Sequence, residues 1–180
     1  VKKRLFVALD LPEQIAAQVE PLCSGLPGAR WVDMMQLHLT LCFIGEVEGT
    51  LFQDIAQVLG EVGFPPFSMQ LDGLGFFPPR GKPRVLWVGV EKNEELERLH
   101  QKIYNRLTRI GVALEKRKFS AHITIARLRN TPAGKVARYL EANSFFCSEP
   151  FIVENFSLYS SVLRQQGAVH SLEQEYSLVG

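Results

Sequence analysis

At 180 residues, with 46% apolar and 22% charged side chains, the sequence has the composition of an ordinary globular protein and enough length to bury a substantial core. A formal net charge of +1 excludes a bulk polyanion binder, and no apolar run approaches the roughly 18 to 20 residues that cross a bilayer. Three widely separated cysteines, Cys23, Cys42 and Cys147, with no Cys-x-x-Cys, argue against a disulfide framework or a zinc cluster and for reduced thiols in a cytoplasm.

Arg4 to Leu9 reads as a first strand. The basic residues ahead of it mimic a signal peptide, but Asp10 and Pro12 cut the apolar part short, so no secretory signal is expected. Asp10 or a neighbour is placed to cap a helix with Pro12 in its first turn, Ile15, Ala16 and Val19 on one side and Pro21 as its stop. Gly25 to Gly28 reads as a loop, and Trp31-Val32 leads into a strand from Leu37 to Ile44 that Gly45 closes. Thr50 to Leu59 has amphipathic spacing. A strand from Phe67 to about Leu74 follows, then a turn-rich connection through Phe76-Phe77 to Pro83 and an apolar strand from Arg84 to Val90.

Glu94 to Ile110 is the longest helix candidate, with Leu96, Leu99, Ile103, Leu107 and Ile110 in register and Gly111 as terminator. Phe119 to Leu128 is a strand, Thr131-Pro132 caps a helix to about Ala142, and strands run from Phe151 to Val162 and from His170 to Leu178. The order strand, helix, strand, helix, Pro-Phe strand thus occurs twice. Pro66-Phe67 returns 84 positions later as Pro150-Phe151.

At that same offset His38-Leu39-Thr40-Leu41 returns as His122-Ile123-Thr124-Ile125. His and Thr alternate with apolar residues, so on a strand they share one face while the apolar ones anchor the other. A neutral imidazole accepts a proton, a charged one donates it, and a hydroxyl donates a hydrogen bond to an oxyanion. A single His-x-Thr is commonplace; a repeated one inside a repeated element order is not. Two lobes related by a pseudo-twofold would bring both pairs into one groove, and an unpartnered buried imidazole would cost about 1 to 3 kcal/mol, which favours a polar cleft over packing.

The basic residues cluster as Lys2-Lys3-Arg4, Arg80 to Arg84, Lys116-Arg117-Lys118 and Arg127 with Arg129, which together could draw a phosphate end toward one cleft. Strict alternation from His122 puts Arg127 on the face opposite His122 and Thr124. Phe6, Trp31, Phe119 and the Phe76-Phe77 pair are conceivable base-stacking platforms. His100 and His170 are isolated, so a metal site would have to be assembled from scattered residues, and none is expected.

The paired His-x-Thr-x motifs resemble those of the two-histidine (2H) phosphoesterase superfamily. Within it the chain is most similar to the LigT-like bacterial and archaeal RNA 2',3'-cyclic phosphodiesterases, also described as 2'-5' RNA ligases. The supporting residues are Arg4 to Pro12, Trp31-Val32, Leu37 to Gly45 and Phe119 to Arg127, with Ala121 standing where such proteins often carry Pro. The resemblance implies an α+β, duplicated two-lobe fold, each lobe an antiparallel sheet with two helices on its outer side, around a central cleft. It implies one domain over 1–180 made of two intertwined repeats, roughly 1–80 and 81–180.

It also implies metal-independent hydrolysis of RNA 2',3'-cyclic phosphate ends to 2'-phosphomonoesters, reversible as 2'-5' ligation. His122 is then the proton acceptor and His38 the proton donor, with Thr40, Thr124 and Arg127 on the phosphate and no cofactor. The implied partner is RNA with a cyclic phosphate end, tRNA halves among the candidates, bound by a cytoplasmic monomer with no membrane contact. The competing readings are another cyclic nucleotide or 2'-5' linkage as substrate, a non-catalytic module that binds RNA ends, and a metal-dependent hydrolase for which the ligand spacing is missing.

Overall fold

Leu5 to Leu9 are five consecutive buried residues, the signature of a strand covered on both faces and flanked on both edges. That strand, β1 (Lys2–Asp10), lies inside a four-stranded antiparallel sheet of order β10-β9-β1-β3, with β3 at His38–Glu48, β9 at Asn155–Arg164 and β10 at Gly167–Ser177. A second four-stranded sheet has order β2-β7-β6-β5: β2 is Ala29–Trp31, β5 Leu71–Phe77, β6 Val85–Val90 and β7 His122–Leu128. A short ladder of β4 (Phe67–Met69) with β8 (Phe151–Val153) completes the strands of this computed structural model, which describes residues 2–180. Val1, which heads the basic start, lies outside it.

Four α-helices among the described residues pack apolar stripes onto this framework: α1 (Glu13–Val19), α2 (Gly49–Gly60), α3 (Glu94–Arg109) and α4 (Ala133–Ala142). In α3 the buried residues are Leu96, Leu99, Ile103 and Leu107, at the spacing read from the sequence. The Asn93 side chain caps it by accepting from the Leu96 backbone N–H at 3.0 Å, and Arg106 and Arg109 complement its C-terminal end. Tyr139 of α4 donates its hydroxyl to the Leu22 carbonyl, and Tyr176 of β10 donates to Ala56 in α2. Apart from Phe6 and Ala8, the buried apolar residues of both sheets and all four helices form one contiguous cluster.

The fold class is α+β with antiparallel sheets, as expected, and several local expectations need correction. Asp10 caps nothing: Pro12 is the N-cap of α1 without a side-chain hydrogen bond, and the Asp10 carboxylate accepts from the Tyr159 hydroxyl. Likewise no Thr131 cap forms on α4; its hydroxyl donates to the Pro27 carbonyl at 2.7 Å. Trp31 is no mere lead-in, because Ala29–Trp31 pairs with Leu128 to Ala126 in the second sheet.

Gly45 does not end its strand. With φ at +88° it sits beside a bulge, where Leu5 pairs with Gly45 and Phe6 with Phe43, and β3 continues to Glu48. The strand expected over 67–74 is two strands, because Gln70 carries the chain from the β4–β8 ladder into the second sheet. Glu154 makes the same step 84 residues on, between β8 and β9.

Candidate active site

The two His motifs open β3 and β7, edge and inner strands of different sheets that lie against each other across the molecule. In both, the burial pattern starts identically: His and Thr half-buried, Leu39, Leu41, Ile123 and Ile125 buried beneath them. Each ring is fixed the same way. His38 Nδ1 lies 2.8 Å from the Gln36 carbonyl oxygen and His122 Nδ1 lies 2.8 Å from that of Ser120. A carbonyl can only accept, so each Nδ1 carries the proton and donates it, which leaves Nε2 of both rings for proton transfer.

Neither imidazole is walled off from solvent. Burial holds the His38 pKa below the ordinary histidine value, the Gln36 carbonyl and the Asp10 carboxylate pull it back up, and the charge of His122 adds to the lowering. Among the described residues neither the Thr40 nor the Thr124 hydroxyl is spent on a protein hydrogen bond, so both are free to donate to a ligand.

Arg127 corrects the expectation from strict alternation. In β7 Leu86 pairs with Ala126 and Trp87 with Thr124, so Ile125 is an extra residue, and Ile125 and Ala126 are buried in succession. The bulge returns Arg127 to the His122 and Thr124 face. β3 has the same bulge at Leu41, between the pairs Val7–Cys42 and Ala8–Thr40, and it brings Phe43 to the matching position. Arg127 is exposed, and its charge acts on His170, a residue of the opposite sheet.

His170 itself was isolated by sequence spacing, yet its ring stands edge-on to that of His38 at 5.2 Å between centroids and 4.9 Å from Phe6. Burial first, then the charges of His38 and Arg127, lower its pKa, and its Nδ1 is buried without a partner among the described residues. Tyr159, stacked on Phe6 at 5.4 Å, donates to Asp10, and burial followed by that hydrogen bond raises the phenol pKa. Phe6, Asp10, Gln36, His38, Tyr159 and His170 line, with Met35, a cavity of about 30 Å³. The sequence carried no motif for His170, Tyr159 or Asp10; only the β10-β9-β1 strand order assembles them.

Of the expected stacking platforms, Phe6 lies 5.1 Å from the His38 ring and Phe77 5.0 Å from that of His122. Trp31 instead faces Tyr139, and Phe119 stacks on His100. Among the described residues no three His, Cys, Asp or Glu side chains gather into a metal-ligating group. No helix among them is long and apolar enough to cross a membrane.

A family model described as the 2'-5' RNA ligase superfamily matches residues 7–164. The RNA 2',3'-cyclic phosphodiesterase of Archaeoglobus fulgidus is 37% identical over 172 residues, covering 93% of this chain and 96% of that protein. That of Thermotoga maritima is 35% identical over 183 residues, covering 98% and 96%. Among solved structures, a Thermus thermophilus protein superposes with a TM-score of 0.82 at 30% identity, covering 97% of each chain. Apo LigT of E. coli does so with a TM-score of 0.79 at 27% identity, covering 99% of each. Sequence and fold agree along nearly the whole length, and the chain belongs to the 2'-5' RNA ligase superfamily.

Proposed function

We propose that the protein hydrolyses RNA 2',3'-cyclic phosphate ends to 2'-phosphomonoesters with its two histidines as acid and base, a reaction that runs backwards as 2'-5' ligation. The observation that carries this reading is the matched pair of imidazoles, each pinned through Nδ1 to the carbonyl two residues upstream, on adjacent strands of two sheets. Curated relatives that cover this chain almost completely bear the name RNA 2',3'-cyclic phosphodiesterase.

In the forward direction His122 Nε2 takes a proton from the attacking water, the bond from phosphorus to O3' breaks, and His38 Nε2–H protonates the departing O3'. The strained five-membered ring needs little covalent help, so orientation and stabilisation of the anionic oxygens do most of the work. Thr40 and Thr124 donate to the non-bridging oxygens and Arg127, turned inward by its bulge, supplies the positive charge. A bound phosphate favours the charged form of His38 that burial disfavours, so the proton is in place to be given to O3'. None of these steps needs a metal.

The chain is read as one domain of two intertwined repeats, roughly 1–80 and 81–180, acting as a cytoplasmic monomer on RNA ends, tRNA halves among the candidates. Its cysteines are unpaired, and burial raises the thiol pKa of Cys23 to about 11 and of Cys42 to about 12, so both are inert, as suits a reducing compartment.

The test is incubation of chelator-treated protein with a short RNA ending in a 2',3'-cyclic phosphate, with the product phosphate located by phosphorus NMR. A 2'-phosphate at an unchanged rate is expected. A 3'-phosphate, or activity lost to chelation and restored by metal, would overturn the mechanism.

A further inference from the structure

Outside the histidine cleft, the side chains that best combine into a binding surface line an open groove of about 440 Å³ between α3 and the segment that leads into β7. One wall is Glu97, His100, Gln101 and Tyr104 of α3; the other is the run from Lys116 to Phe119. Its position follows from the chain path. β7 begins at His122, which pairs with Gly89 near the end of β6, and α3 starts only a few residues after β6. The segment after α3 must therefore run back along the helix to reach His122, and the stack of Phe119 on His100, at 4.1 Å with rings 6° apart, marks that return.

Two properties of the groove point to one ligand chemistry. Its aromatic surfaces are half-exposed: His100 and Phe119 lie ring on ring, with Tyr104 at 6.0 Å. Its cations are exposed and partly unspent: Arg117 is held by Glu115, whereas Lys116 and Lys118 form no ion pair among the described residues, and Glu97 is the acidic side chain facing them. Cations beside stacking rings are how proteins hold single-stranded nucleic acid without reading its sequence. An acidic peptide would use the lysines and leave the rings idle.

The groove is also tied to the chemistry. His122 follows Lys118 by four positions, a reach of at most about 14 Å. Ser120, inside that span, offers the carbonyl that orients His122.

We infer that this groove binds the RNA strand upstream of the cyclic phosphate end, with Lys116 and Lys118 on backbone phosphates and the His100–Phe119–Tyr104 surface under a base. The inference rests on the hydrolase reading and deepens it, because it makes the polynucleotide, rather than a cyclic mononucleotide, the preferred substrate.

The test compares wild type with K116A/K118A on two substrates, a 2',3'-cyclic mononucleotide and a short single-stranded RNA with the same cyclic end. Binding of a fluorescent RNA is followed in parallel by anisotropy. The double variant is expected to lose about tenfold in kcat/KM on the RNA, mainly through KM, to bind it correspondingly weaker, and to show a salt dependence shallower by about 1.4 in log–log slope. Turnover of the mononucleotide is expected to stay at the wild-type level, which also shows that the variant folds. Equal losses on both substrates, unchanged RNA binding, or displacement of the RNA by an acidic peptide at lower concentration would each overturn the groove assignment. Wild-type protein that hydrolyses neither substrate would defeat the hydrolase reading instead, while anisotropy still decides the groove.

Discussion

A histidine does acid–base work only if one nitrogen is held and the other left free, and the i−2 carbonyl supplies the hold in both halves of this protein. His38→Ala and His122→Ala are each expected to cut turnover of a cyclic-phosphate RNA by at least about 10² to 10⁴ while leaving the circular dichroism spectrum and melting temperature close to wild type. Near-normal turnover by either variant would remove the basis of the mechanism. The pH profile carries a second prediction. The Asp10 carboxylate favours the charged form of His38, so Asp10→Asn takes away a force that raises its pKa while burial continues to lower it. As the proton donor His38 works only when charged, so the variant is expected to lose kcat/KM at neutral and alkaline pH, where less of its His38 is charged, and to match wild type at the acid end. A gain in kcat/KM at alkaline pH would mean that Asp10 acts on the site by some other route.

At the level of elements, β-bulges and close backbone approaches decide which side chains reach the cleft. Gly28 has φ at +77°, and a Cβ there would meet the Arg129 carbonyl oxygen at 2.3 Å, just where the Arg129 N–H donates to the Gly28 carbonyl and holds β2 to the end of β7. Gly25 has φ at +85° with open space around it. Gly28→Ala is expected to cost about 3 kcal/mol or more in denaturant unfolding, from overpacking added to backbone strain, against about 1 to 2 kcal/mol for Gly25→Ala, from strain alone. Equal costs would show that the contact is relieved without consequence.

The same contrast explains what the sequence made legible. Periodicity revealed β3, β7 and α3 because their apolar residues face one core, and repetition singled out His38, Thr40, His122 and Thr124. A bulge leaves no trace in residue type, so alternation sent Arg127 to the wrong face. A strand of three residues such as β2 is too short for a period, and the turns at Gln70 and Glu154 depend on which sheet the next strand joins. His170 and Tyr159 were hidden for the same reason, since their place beside His38 is set by strand order rather than by spacing.

For the molecule as a whole, strand order has one more consequence. The first half supplies β1 and β3 to one sheet, but the neighbours on the far side of β1 are β9 and β10 from the second half. In return the first half gives β5 to the sheet built on β6 and β7, and β4 pairs with β8 across the halves. Cutting the chain in the exposed turn between Phe77 and Val85 would leave β1 with a bare edge and β5 with no partner, while Leu5 to Leu9 would lose part of their cover. Unpaired buried strand edges and a divided core are costs that neither half can offset alone, because a small fragment buries too little surface. Fragments 1–80 and 81–180 are accordingly expected to be unfolded or aggregated separately, by the lack of amide dispersion in proton NMR. Mixed in equal amounts under refolding conditions, they are expected to regain both dispersion and phosphodiesterase activity, because each histidine of the proposed acid–base pair is delivered by a different fragment. A fragment that unfolds cooperatively by itself would show that the repeats are independent domains merely docked together, and the exchange of strands would then contribute little to holding the cleft.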